Sequence, residues 1–162
     1  SSKNKGDVRF NVIGLEKKTK QGLGIIKKIN DGKFPFLTSD KKIINSIKES
    51  NLKNNFFATT DTSVIPKAKI IISSIGLDFF SNIDSNINNF KKAISIIAKS
   101  ISKDSLFILE SSVPPGTTEK IVLPIFKKEF KKRNIKERQI KISYSYERVI
   151  PILREIKIRH QF

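Results

Sequence analysis

Residues 110 to 120 read ESSVPPGTTEK, directly after the apolar run LFIL. Two hydroxyls, two prolines and a glycine between an apolar run and a helix-forming stretch describe a sharp strand-to-helix turn. In α/β proteins such turns lie at the carboxyl edge of the sheet, where ligands bind. Pro114 and Pro115 fix φ and remove two amide donors, Gly116 permits a reversal, and Thr117 is placed to cap the following helix. Ser111 and Ser112 are left with no local duty on this reading, so their hydroxyls are candidates for contact with a bound molecule.

Two carboxylates follow other apolar runs. Glu16 ends VRFNVIGL, and in a dinucleotide-binding fold a carboxylate at the end of the second strand accepts hydrogen bonds from the adenosine ribose. Glu147, in YSYERVIP (144 to 151), follows a further run and approaches the same edge, where it could hold a water or a sugar hydroxyl. Ion pairing with a lysine is the commoner use of such a residue. The phosphate-cradling partner of Glu16, Gly-x-Gly-x-x-Gly, does not occur in the fifteen residues before it. QGLGIIK (21 to 27) offers Gly22 and Gly24, but it lacks a third glycine and lies where a helix has already begun. These two read as small residues near a helix start. His160, the one histidine, lies in the last three residues of the sequence, a poor place for a general base.

The elements that must position these residues alternate. A strand over 8–15 is expected, buried on one face and then on both, then a helix over 19–31 and a loop GKFPFLTSD (32 to 40) in which Ser39 or Asp40 caps a helix from 41 to 50. FFATT reads as a short strand, DTSVIPKA as a turn or single helical turn, and KIIISSI (69 to 75) as a fully buried strand. Ile87, Phe90, Ile94, Ile97 and Ile101, spaced by three and four, mark a helix over 83–101 that covers one face of a sheet. LFILE (106 to 110), a helix over 118–132 and the strand QIKISYS (139 to 145) complete the series. Such alternation argues for right-handed βαβ units and a largely parallel sheet.

Composition narrows the chemistry. The 162 residues contain no cysteine, which excludes disulfides, thiolate metal sites and a cysteine nucleophile within this sequence. No metal site is expected. The formal charge is +17, yet the basic residues are six arginines and 26 lysines scattered along most of the chain. Ile and Asn are over-used with Lys, as in an A+T-rich coding sequence, so the charge argues against a dedicated nucleic-acid partner. The densest basic run, KKEFKKRNIKER (127 to 138), reads as a solvated helix face. No run is long and apolar enough for a membrane span, so a cytoplasmic location without a membrane partner is expected.

Taken together, NVIGLE, the GKFPF loop, ATTD (58 to 61), KIIIS, ESSVPPGTTEKIVLPIF and YSYERVIP resemble, in order and spacing over about residues 8 to 151, the UDP-glucose/GDP-mannose dehydrogenases. These enzymes oxidise the C6 alcohol of a nucleotide sugar to a carboxylate with NAD. The later pieces are most similar to the branch acting on UDP-N-acetylhexosamines. The resemblance implies an α/β fold: a partial Rossmann-type parallel sheet with flanking helices, the first βαβ glycine element missing, with 1–151 as a partial NAD-binding domain and 152–162 as a tail without family likeness. It implies NAD as cofactor, with Glu16 on the ribose, Ser111 and Ser112 at the cofactor, Ser112 standing for a family threonine near the nicotinamide and the catalytic water, and Glu147 in acid/base or water-orienting work. For the complete enzyme it implies a UDP-sugar substrate, a homo-oligomer and a role in uronic-acid precursors for surface polysaccharide.

The sequence departs from the family pattern at Gly76, where a Pro-Thr step is usual, at Tyr146 in place of proline and at Ile152 in place of glycine. The family's nucleophilic cysteine belongs to a downstream region, so the expectation is a domain truncated at both ends and inactive alone. The alternatives are a small basic module for polyanions or nucleic acid, and a remnant without function.

Overall fold

The computed structural model describes residues 10–77 and 83–146, with the backbone alone for 83–85. Glu147 and the tail 152–162 lie outside the described residues, as does the first part of the strand expected over 8–15. The chain divides into two compact units, residues 1–64 and 65–162.

In the first unit, β1 (Val12–Leu15) pairs in parallel with β2 (Phe56–Thr59), Val12 opposite Phe56 and Leu15 opposite Thr59. Between them run α1 (Lys20–Asn30) and α2 (Lys41–Leu52). Thr19 caps α1, its hydroxyl accepting from the Gly22 amide at 3.0 Å. Asp40 caps α2 by accepting from the amides of Lys42 and Ile43, so of the two candidates the carboxylate takes the role. Asn30, the last residue of α1, pairs with β2 as a neighbouring strand would. Its amide nitrogen donates to the Ala58 carbonyl at 3.0 Å, and its oxygen accepts from the Ala58 N–H at 2.7 Å.

In the second unit, β3 (Ile70–Ser73), β4 (Leu106–Glu110) and β5 (Ile142–Ser145) form a parallel sheet with β4 central. α3 (Ile83–Ser100) and α4 (Leu123–Lys132) pack together. The core takes Phe90, Ile94, Ile97 and Ile101 from α3 and its end, as their spacing predicts. Phe107 and Leu109 of β4 are wholly buried against it, while their alternates Leu106 and Ile108 are half-buried. Phe107, Phe126 and Phe130 form a chain of tilted ring contacts with centroids 5.0 and 5.9 Å apart. Arg133 closes this core, stacking over Phe130 and donating to the Ala98 carbonyl.

Three expectations are corrected. β3 is not fully buried: Ile70 is 54% and Ile72 59% exposed. Among the described residues β3 pairs only with β4, so it is an edge strand, and an apolar run looks the same in either place. The run ending at Leu15 is likewise exposed, with Val12, Ile13 and Leu15 each more than a third accessible on a strand that has one partner among the described residues. The helix expected over 118–132 begins with a wide π turn, Thr118–Val122, before α4. Pro124 has no N–H to donate to the Lys120 carbonyl, and its ring crowds that oxygen, so the preceding turn opens.

Candidate functional site

The strand ends gather the residues the sequence singles out, and each unit carries its own. At the carboxyl end of β4 the chain leaves through Glu110 into the proline turn. Ser111 is 2% exposed, and its hydroxyl donates to the Ile75 carbonyl at 3.1 Å. Its own carbonyl accepts from the Tyr144 hydroxyl at 3.2 Å. One residue therefore ties the chain beyond β3 to β5. The expectation that Ser111 has no local duty is corrected: a short side chain pointing inward from a central strand meets the neighbouring backbone, and its hydroxyl is spent there.

Ser112 is the opposite case. The pleat sends successive side chains to opposite sides, so Ser112 is exposed, and its hydroxyl makes no hydrogen bond among the described residues. Beyond it the turn is closed locally. The Thr117 amide and hydroxyl both donate to the Pro114 carbonyl, at 3.1 and 2.7 Å, and Gly116 takes φ +83°, the left-handed region that favours glycine. Thr117 has helical dihedrals and no side-chain capping bond, so its expected capping role is corrected: the hydroxyl braces the proline turn instead. The result is a rigid exit from β4 with one hydroxyl presented to solvent.

Ser73, at the carboxyl end of β3, was not singled out by sequence. It is 4% exposed, and its Oγ has no hydrogen-bond partner among the described residues. A serine ending an apolar strand gives no sign of whether its hydroxyl will be satisfied. Tyr144 was also missed, although its place on β5 beside Leu109 of β4 follows from the register.

In the first unit, Glu16 follows the last residue of β1. Its amide donates to the Thr59 carbonyl at 3.0 Å, which fixes the backbone, and its Oε1 accepts from the Lys17 amide at 2.7 Å. The carboxylate is half-buried, with its other oxygen left for a hydroxyl donor. Gly22 brings the start of α1 against this corner: a Cβ there would lie 2.1 Å from the Lys17 carbonyl oxygen and 2.9 Å from Glu16 Cγ. Gly22 serves close packing and its amide is taken by Thr19, so it cradles no phosphate. At the end of β2, Asp61 accepts from the amide and hydroxyl of Ser63 and shapes the turn that follows.

Taken unit by unit, the residues supply some of the group types that an adenosine dinucleotide needs. A half-buried carboxylate at the end of β1 and an exposed hydroxyl beyond the end of β4 are present, whereas a glycine-rich pyrophosphate loop is absent among the described residues. No cluster of three metal-ligating side chains occurs among them either.

The profile of the UDP-glucose/GDP-mannose dehydrogenase family, NAD binding domain, matches residues 6–154. UDP-N-acetyl-D-mannosamine dehydrogenase from Methanocaldococcus jannaschii is 26% identical over 149 residues, covering 91% of this chain and 31% of that protein. Protein CapL of Staphylococcus aureus is 28% identical over 101 residues, 62% of this chain and 24% of the relative. The crystal structure of NDP-N-acetyl-D-galactosaminuronic acid dehydrogenase from Methanosarcina mazei Go1 shares the fold with a TM-score of 0.73 at 22% identity, over 86% of this chain and 30% of that one. The chain thus spans about a quarter to a third of the length of these relatives.

Proposed function

Because the chain belongs to the UDP-glucose/GDP-mannose dehydrogenase family, within its NAD binding domain, we propose that it forms the NAD-contacting part of a nucleotide-sugar 6-dehydrogenase that oxidises the C6 alcohol of a UDP-sugar. The single observation that carries this reading is the family match over residues 6–154. The names of the relatives favour an N-acetylhexosamine derivative as the sugar.

NAD, when bound, supplies the hydride acceptor. The chain's own residues hold it. Glu16 accepts hydrogen bonds from the adenosine ribose hydroxyls. Ser112 presents its hydroxyl on the nicotinamide side, on a turn that does not yield because Thr117 and Gly116 lock it. Ser111 acts one step back, by fixing the backbone that carries Ser112. Glu147 orients a water or takes up a proton in the complete protein. The 162 residues include no cysteine, so the covalent step that the resemblance implies for the second oxidation is not available to this chain alone, which is not expected to carry a UDP-sugar to the carboxylate.

Saturation-transfer NMR of NAD over the 162-residue chain tests the proposal. The expected result is transfer to the adenosine ribose and nicotinamide protons, with the ribose signal lost in Glu16→Ala and the nicotinamide signal lost in Ser112→Ala. Absence of transfer to NAD, together with binding to RNA that falls linearly in log K with log salt, would replace this reading with that of a polyanion-binding module. Formation of a UDP-sugar acid from a UDP-sugar and NAD by the purified chain would overturn that expectation.

A further inference from the structure

Asn30, the last residue of α1, stands between the GKFPF loop and ATTD (58 to 61) at the end of β2. In and just before β2, Asn55 and Thr59 turn their carbonyls toward β1, where they accept from the Val12 and Glu16 amides at 2.8 and 3.0 Å. Backbone groups alternate in direction along a parallel strand, so Ala58 turns its N–H and C=O to the other edge. Among the described residues no strand pairs with that edge. The Asn30 carboxamide takes both groups, accepting from the Ala58 N–H at 2.7 Å and donating to its carbonyl at 3.0 Å.

Asn30 is itself held from two sides. Its backbone carbonyl accepts from the Asn51 side chain of α2 at 2.8 Å. Gly32, at φ +70°, turns the chain closely over that same side chain, to which a Cβ at this position would lie 3.3 Å away. The consequence reaches Glu16. The Ala58 carbonyl shares a rigid peptide plane with the Thr59 N–H, and the Thr59 carbonyl is the acceptor that fixes the Glu16 amide. Asn30 is exposed, so water could satisfy the Ala58 groups one at a time. Two exchanging waters would not hold that plane in one orientation, whereas a single side chain bonded to both groups does.

We propose that Asn30 is a positioning residue for Glu16: its carboxamide fixes the end of β2, on which the Glu16 backbone hangs, and so sets where the Glu16 carboxylate meets a ribose hydroxyl. The proposal rests on the ribose role given to Glu16 above. Asn30 acts through Ala58 and Thr59 and not by touching the cofactor.

Hydrogen exchange and NAD titration of the 162-residue chain test it. Asn30→Ala and Asn30→Asp are both expected to keep the wild-type circular dichroism spectrum; the second has the same size, keeps the acceptor for the Ala58 N–H and loses the donor. Without NAD, the Glu16 amide is expected to exchange about fivefold faster in both variants, as loss of about one net hydrogen bond predicts, with the Val12 amide at the other end of β1 unchanged. Both variants should weaken NAD binding about fivefold, with the saturation-transfer signal reduced at the adenosine ribose and kept at the nicotinamide. In a Glu16→Ala background Asn30→Ala should cost nothing further, because it acts through that side chain, whereas a merely structural role would cost the same in both backgrounds. Unchanged exchange at Glu16, or equal losses in the two backgrounds, would overturn the proposal. Weaker NAD binding in Glu16→Ala but not in the Asn30 variants would overturn this proposal alone. NAD binding unaffected by Glu16→Ala would overturn the ribose reading and this proposal with it.

Discussion

The Ser111 hydroxyl donates to the Ile75 carbonyl, joining residues 36 apart in sequence and tying the exit of β4 to the chain beyond β3. Tyr144 completes the clamp by donating to the Ser111 carbonyl. A buried hydroxyl bonded to backbone is worth about 1 kcal/mol net, and more where its removal strands a carbonyl. Ser111→Ala is therefore expected to lower stability by about 1–2 kcal/mol in urea denaturation, and Tyr144→Phe by about 1 kcal/mol. Both bonds share Ser111, so the double variant is expected to cost less than the sum. Unchanged midpoints in both single variants would show the clamp to be ornamental.

Ser112 should behave in the opposite way. It is exposed and unbonded among the described residues, so Ser112→Ala should leave stability within about 0.5 kcal/mol. In a complete enzyme carrying this domain, the nicotinamide-side role proposed for Ser112 predicts that the change lowers hydride transfer about 10²-fold, as loss of one positioned hydrogen-bond donor does. Ser112→Thr should retain most of the rate. A stability loss in Ser112→Ala equal to that of Ser111→Ala would mean that the two serines had been assigned the wrong way round.

The pairing of those serines shows where the sequence was legible and where it was not. The series of strands and helices could be read because apolar residues repeat at two clear spacings, as with Phe90, Ile94, Ile97 and Ile101 on α3. The proline turn could be read because each of its residues has a strong local preference. The division of labour between Ser111 and Ser112 could not, because it depends on a carbonyl 36 residues away. Nor could the exposure of Ile70 and Ile72, since nothing local tells a central strand from an edge. The π turn was hidden because Pro124 sits inside an otherwise regular helical pattern. In the first unit Glu16 was legible as a strand-end carboxylate, whereas the pairing of Asn30 with Ala58 joins residues 28 apart and leaves no local trace.

Glu129 gives the second unit a pH response. It is buried on α4, and the Lys132 ammonium, 2.9 Å from its Oε1, holds its pKa below the usual carboxylate value against the opposing effect of burial, with Lys99 and Lys128 assisting. The folded state therefore prefers the ionised form more than the unfolded chain does. That preference stabilises fully above the unfolded glutamate pKa, about 4.3, and is lost as pH falls through the lower folded value. Acid unfolding followed by circular dichroism should show wild type losing its advantage over Glu129→Gln below about pH 4.3. A difference between the two proteins that is the same at neutral and acid pH would mean that the ion pair does not carry it.

The two glycines of QGLGIIK make the last prediction, because they stand two residues apart on α1 in opposite surroundings. A Cβ at Gly22 would lie 2.1 Å from the Lys17 carbonyl oxygen, and that atom is backbone, so the start of the helix must shift to admit it. A Cβ at Gly24 meets nothing within 4 Å. Gly22→Ala is expected to destabilise by about 1–3 kcal/mol, as overpacking does. Gly24→Ala is expected to stabilise by about 0.4–1 kcal/mol, because alanine restricts the unfolded chain and suits a helix interior. Gly22 also lies against the Glu16 side chain, so Gly22→Ala should weaken the ribose contact proposed for Glu16 while Gly24→Ala leaves it intact. If both variants changed stability in the same direction, the close approach of α1 to the end of β1 would not be what requires glycine at position 22.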